Sequence, residues 1–336
     1  MTTASSGDAP IVAQGVTKDY GEGAGIHELD MVVPPGTILG VVGPSGAGKT
    51  TTIRILTGAV DPDKGKVQVL GEDPRRFRRA TRERIGYMPQ LFTLYPDLTA
   101  EENVDFVASL FGMLWRRRRR RVKEVLQFTQ LTEAKHRRAA NLSGGMQRRL
   151  ELACALVHEP DLFFLDEPTA GIDPILRQSV WEELHRLKGT GRTLLVTTQY
   201  LTEAEECDQV ALITEGRLVA MAPPSQLRRE ALGGDLIEVE TKAPFDPESL
   251  VGRPHILRVE TRGLRSFWAA VDDGAQMLPV IDDLVAEVGG EVLAAREIQP
   301  SFDEVFAALV RRERGSTAAD EAGAAADAAA ARREAA

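Results

Sequence analysis

From residue 11 onward the chain reads as short apolar runs, separated by Gly- and Pro-containing turns and by stretches with helical spacing. Runs such as 38–42 and 162–165 are too short for a helix and carry no polar side chain, the pattern of strands buried on both faces. Their alternation with helical stretches to about Leu232 predicts helices layered on a mostly parallel sheet. Gly233-Gly234 then predicts a boundary. Beyond it the pattern predicts a strand at 236–241, a short helix after Pro247, strands at Ile256–Thr261 and Ser266–Val271, a helix at 277–288, a strand at 291–298 and a last helix at 301–311. That βαββαβ order is a split-βαβ, ferredoxin-like arrangement. Residues 1–10 are mostly small, and 315–336 contain 12 alanines in 22 residues with no bulky apolar side chain, so neither end has a face to bury. The expected organisation is a disordered 1–10, a large domain over 11–232, a small α/β domain over 235–311 and an Ala-rich disordered tail over 312–336.

A length of 336 residues suits two domains. The formal net charge of −9 argues against binding nucleic acid through bulk electrostatics. Two cysteines, Cys154 and Cys207, make neither a disulfide framework nor a metal-ligand spacing, which fits a reducing compartment. No apolar stretch approaches the roughly 20 residues of a membrane span, and the first residues lack the basic and apolar regions of a signal peptide. The expectation is a soluble intracellular protein.

Two segments carry chemistry. Val41-Val42 leads into Gly43-Pro44-Ser45-Gly46-Ala47-Gly48-Lys49-Thr50, and a helical pattern follows through Leu56. This is G-x-x-x-x-G-K-[ST] in its confirming context, a strand before and a helix after. Such a loop turns backbone N–H groups onto phosphates at a helix N-terminus; Lys49 reaches the β- and γ-phosphates and the Thr50 hydroxyl holds Mg²⁺. Alone, the loop leaves kinases, GTPases and ATPases all open. The second segment, 161–167, is an apolar strand ending in Asp166-Glu167. At a strand's carboxyl end the first carboxylate can bind Mg²⁺ and the second can polarise an attacking water.

Asn141-Leu142-Ser143-Gly144-Gly145-Met146-Gln147-Arg148-Arg149 resembles the signature motif of ABC-type ATPases, and 11–232 as a whole is similar to one of their nucleotide-binding domains. Other family elements stand in order: Tyr20 before the first turn, Gln90 after a strand, and Gly171-Ile172-Asp173 as the D-loop. The resemblance implies a RecA-like P-loop core with an antiparallel β subdomain and a helical subdomain. It implies ATP and Mg²⁺ as ligands: Tyr20 stacks on adenine, and Gly43, Pro44, Ser45, Gly46, Ala47, Gly48, Lys49, Thr50 and Thr51 hold the phosphates. Thr50, Asp166 and Gln90 are implied metal ligands, and Glu167, Gln199 and Gln90 the catalytic set, with Gln90 relaying nucleotide state through 91–96. Ser143, Gly144, Gly145 and Gln147 of one subunit would contact the γ-phosphate held by another, with Asp173 at that interface. One copy of each motif means that a second nucleotide-binding subunit is needed, a homodimer being the expectation.

Where the family usually has a histidine, the strand 193–198 ends in Gln199, within Thr197-Thr198-Gln199-Tyr200. Glutamine can donate through its amide but carries no proton or charge. This version resembles the ATPases of daunorubicin-type antibiotic exporters, and the closing segment 298–309 is similar to that of ATPases paired with ABC-2-type permeases. The implied role is energy coupling for export of a drug, antibiotic or lipid, peripheral to the cytoplasmic side of the membrane. A soluble ABC ATPase acting on ribosomes or DNA, and a weakly hydrolysing regulatory subunit, are the alternatives. Six consecutive arginines, 116–121, follow an earlier group at Arg75, Arg76, Arg78, Arg79, Arg82 and Arg84. They read as a solvated face, or as one turned to anionic lipid or a permease.

Overall fold

β1 (Ile11–Gly21) and β2 (Ala24–Val33) form an antiparallel pair in the computed structural model, with β4 (Lys64–Val69) on the other side of β1. The model describes residues 9–91 and 93–313; the expected disordered ends therefore lie outside the described residues except for 9–10 and 312–313. The inward side chains of β1 and β2, Ile11 and Val16 against Ile26, Leu29 and Met31, are buried in one cluster with Val41, Ile53 and Leu56.

The second sheet carries the site. Its strands are β3 (Ile38–Val42), β5 (Ile85–Met88), β6 (Leu162–Asp166), β7 (Thr193–Thr198), β8 (Gln209–Thr214) and β9 (Arg217–Ala222), in the order β5-β6-β7-β3-β8-β9. The pairs from β5 to β8 are parallel. Every residue of β3, β6 and β7 is buried, as the apolar runs 38–42 and 162–165 predict for the first two; β7 buries three threonines as well. This order sets the carboxyl ends of β6, β7 and β3 side by side, where open α/β sheets bind ligands.

Helices α1 (Lys49–Leu56), α2 (Arg79–Arg82), α3 (Ala100–Leu110), α4 (Trp115–Phe128), α5 (Gly144–Leu156) and α6 (Pro174–Gly189) complete this part. A capping box starts α3: Thr99 Oγ1 accepts from the Glu102 amide, and Glu102 accepts from the Thr99 amide. Helices α3, α4 and α5 pack on one another.

The chain divides into two compact units after Met221. The sequence reading sets its boundary at Gly233-Gly234, whereas α7 (Pro224–Leu232) lies within the second compact unit. The reason is specific: the α7 arginines bond within that unit, Arg228 to the Pro300 carbonyl and Arg229 to that of Asp272. There, β10 (Asp235–Thr241), β11 (Ile256–Thr261), β12 (Ser266–Val271) and β13 (Val292–Ile298) form an antiparallel sheet ordered β11-β12-β10-β13. That is the order a split-βαβ unit requires. Its first crossover helix is reduced to a 3-10 turn, Pro247–Leu250. The expected helix at 277–288 is two pieces, α8 (Gly274–Met277) and α9 (Ile281–Glu287), because Pro279 between them has no N–H to continue the ladder. The closing helix runs over 302–313, with Ser301 and Glu304 exchanging cap bonds at its start.

Candidate functional site

The loop leaving β3 is built on glycines that admit no side chain. A Cβ on Gly43 would lie 2.0 Å from the Ile213 carbonyl oxygen. Gly48, at φ 104, would drive one to 2.7 Å from the Gly25 carbonyl oxygen. The loop delivers Lys49 as the first residue of α1, 4% exposed, and its ammonium donates to the carbonyls of Gly43 (2.8 Å) and Pro44 (3.0 Å). Burial pulls the Lys49 pKa below its ordinary value, while the charges of Glu167 and Asp166 oppose the shift.

Asp166 and Glu167 stand where β6 ends. Asp166 Oδ1 accepts from Thr197 Oγ1 (2.6 Å) and from Thr50 Oγ1 (3.3 Å). Its other oxygen, Oδ2, is buried with no protein partner. A buried, unsatisfied carboxylate oxygen beside a hydroxyl is the donor set of a hard cation such as Mg²⁺, so these residues fit one. Glu167 is 8% exposed and holds φ 51, a left-handed backbone that a non-glycine residue keeps only where its surroundings enforce it. They do so here: its amide donates to the Thr197 carbonyl (3.1 Å) and hydroxyl (3.0 Å). Glu167 Oε1 lies 3.6 Å from Lys49 Nζ, and Oε2 accepts from Gln90 Nε2 at 2.9 Å.

A cleft of about 250 Å³ collects most of the residues expected to touch nucleotide: Tyr20, Ser45, Gly46, Gly48, Lys49, Thr50, Thr51, Gln90 and Glu167 line it. Tyr20 is 53% exposed near the end of β1, with the Lys18 ammonium 5.7 Å from its ring centroid. Ser143, Gly144, Gly145, Gln147, Asp173 and Gln199 do not line it. Ser143 caps α5, accepting from the Met146 amide, and both Ser143 and Gly144 are exposed. Gln147 donates its side-chain amide to the Ala139 carbonyl (3.0 Å), and Asp173 caps α6 through the amides of Ile175 and Leu176. Gln199 is exposed just beyond β7. Within the relay segment 91–96, Phe92 lies outside the described residues; Tyr95 exchanges two bonds with Asn103.

Two residues that sequence reasoning passed over hold the site together. Thr197 bonds both Asp166, the last residue of β6, and Glu167 just beyond it. Arg148 spreads its guanidinium over three carbonyls, donating to Pro89 (3.0 Å), Gln90 (2.6 Å) and Glu167 (3.4 Å), and pairs with Glu151 at 2.8 Å. The available signal was Glu151 itself, an acid set in the otherwise apolar run 150–156 and three residues from an arginine.

Comparison with known proteins gives the family. The family model described as ABC transporter matches residues 26–170. The "Nod factor export ATP-binding protein I" of Sinorhizobium fredii (strain NBRC 101917 / NGR234) is 37% identical over 310 residues, 92% of this chain and 88% of that protein. The "Daunorubicin resistance ATP-binding protein DrrA3" of Streptomyces coeruleorubidus is 36% identical over 309 residues, 91% of this chain and 98% of that protein. Among solved structures, the dimeric post-hydrolysis state of the ATP-binding cassette MJ0796 bound to ADP and Pi superposes with TM-score 0.59 at 26% identity. It covers 63% of this chain and 98% of that one. The chain belongs to the ABC transporter family and is one of its ATP-binding, ATP-hydrolysing subunits.

Proposed function

We propose that this subunit powers export of a drug, antibiotic or lipid-like molecule through a separate ABC-2-type permease, from the cytoplasmic face of the membrane. The observation that supports export is coverage: the export and resistance relatives match over nine tenths of the chain, the second unit included. No helix among the described residues is long and apolar enough to cross a membrane, so the transport path is assigned to another chain.

In this reading Tyr20 stacks on adenine while the amides of 43–51 and the Lys49 ammonium hold the phosphates. Mg²⁺, held by Thr50, Asp166 and Gln90, would neutralise charge on the β- and γ-phosphates. Lys49 exchanges its carbonyl partners for phosphate oxygens. Glu167, fixed at its backbone by Thr197 and at its side chain by Gln90, takes a proton from the attacking water. Gln199 donates its amide toward the γ-phosphate without moving a proton. The exposed start of α5, with Ser143, Gly144, Gly145 and Gln147, closes on the nucleotide of a second copy beside Asp173. ATP is then the element that joins two subunits, and its loss releases them.

Glu167→Gln keeps size and one hydrogen-bond acceptor but cannot accept the proton. Phosphate release should fall at least 100-fold with ATP binding retained. The same tagged variant, purified from solubilised membranes with MgATP, should bring down a polytopic membrane protein in stoichiometric amount. Ribosomal proteins or nucleic acid in its place would overturn the export reading.

A further inference from the structure

The turn between α3 and α4 exposes apolar surface that nothing in the first unit covers. Leu110 is 65% exposed, Leu114 81% and Trp115 63%, all within six residues of chain. This is not a loose loop. Between them Phe111 stacks flat on His158, with ring centroids 3.7 Å apart and planes 2° from parallel. Gly112, at φ 69, makes the turn, and the amides of Gly112 and Met113 bond back to Ser109 and Ala108. The tip is thus anchored by one aromatic ring while its other large apolar side chains face outward.

Basic charge surrounds the same tip. Along α4, Arg117, Arg118, Arg120 and Arg121 are paired with Glu159, Asp105 and Glu124. Arg116 and Arg119, both exposed and one turn apart, make no ion pair among the described residues. Arg79 of the earlier basic group reaches this turn as well: its Nη2 would lie 3.2 Å from a Cβ on Gly112. The first turn of α4 contains no carboxylate, so arginines sit at the positive end of the helix, an arrangement that disfavours the isolated helix and that external anions relieve.

We propose that the α3–α4 tip is a docking surface for an anionic phospholipid bilayer, with Leu110, Leu114 and Trp115 at interfacial depth and Arg116 and Arg119 on lipid phosphates. Exposed Leu and Trp next to unpaired arginines match both halves of a charged bilayer interface. A nucleic-acid backbone would use the arginines and leave the three apolar side chains in water. The bilayer contact is direct and requires no permease.

The test uses the purified full chain with protein-free vesicles, either phosphatidylcholine alone or phosphatidylcholine with 30% phosphatidylglycerol, read by co-sedimentation and tryptophan emission. Binding should be at least tenfold stronger to the anionic vesicles, with a blue shift in emission that Trp115→Phe abolishes. Arg116→Gln/Arg119→Gln should weaken it about fivefold for each arginine. Leu114→Ser/Trp115→Ser should abolish it. All variants should retain wild-type ATP hydrolysis, which confirms that they fold. Equal binding to both vesicle types, undiminished binding by the variants, or binding to a short RNA duplex but not to vesicles, overturns the proposal. Because the vesicles carry no protein, this result is independent of whether a permease is captured.

Discussion

At Arg148 one guanidinium joins segments that chain order keeps far apart: the end of β5, the end of β6 and the helix that begins at the signature. Its partner Glu151 has a side chain only 2% exposed, and burial raises the Glu151 pKa against the pull of that arginine. Arg148→Ala would leave this acid buried without its cation, so urea unfolding should show a loss of about 3 kcal/mol. Arg148→Ala/Glu151→Leu should recover most of that stability. Its ATP turnover should stay low, because the carbonyls of Gln90 and Glu167 are no longer held. Residues of this kind are the ones linear text conceals. Lys49, Thr50, Asp166 and Glu167 stand out in the text because their types and spacings suit phosphate and metal chemistry, and the fold brings them together in pairs, Thr50 with Asp166 and Lys49 with Glu167. An arginine that grips carbonyls is written like one on a surface, and between Gln147 and Arg149 only the acid three residues on, Glu151, sets Arg148 apart. Thr197 was hidden in the same way, inside a strand whose burial alone accounts for it.

At the scale of elements, the start of α3 carries a local signal that the sequence reading did not use. Thr99-x-x-Glu102 closes a reciprocal cap, and Thr99→Ala should cost about 1 kcal/mol in thermal or urea unfolding. Serine at the same position should restore most of it. Strands β3 and β6 followed from the apolar runs 38–42 and 162–165. The second unit was harder because its periodicity runs straight across Pro279, and a pattern of apolar spacing does not register a missing N–H. Its first crossover was legible only as something short after Pro247, which the Pro247–Leu250 turn satisfies without being an α-helix.

For the whole molecule, the split between units turned on α7, whose helical text ends at a glycine pair that looks like a hinge. Gly233 is instead the left-handed C-cap of that helix, at φ 77, and the division comes before the helix begins. The assembly prediction belongs to this scale too. The cleft-lining residues gather in one place while Ser143, Gly144 and Gln199 are exposed outside it, the arrangement from which the proposed two-subunit site is argued. Light scattering of Glu167→Gln should report a dimer with MgATP and a monomer with ADP or without nucleotide. Wild-type protein should dimerise only while ATP lasts.

The stacked pair at the α3–α4 turn has a consequence for acid. His158 Nε2 donates to the Ile85 carbonyl at 2.9 Å, and its Nδ1 is buried with no partner. Burial holds the His158 pKa below its ordinary 6.5, although the Ile85 bond and Glu83 pull the other way. A proton arriving at Nδ1 would therefore have nowhere to donate. As pH falls below 6.5 the unfolded or opened chain takes up that proton first, so stability drains away on the acid side and is whole above it. Protonation of the buried ring is thus expected to weaken its hold on the turn. Amide exchange at Gly112 and Met113, corrected for intrinsic rates, should quicken between pH 7.5 and 5.5, and His158→Phe should remove that dependence.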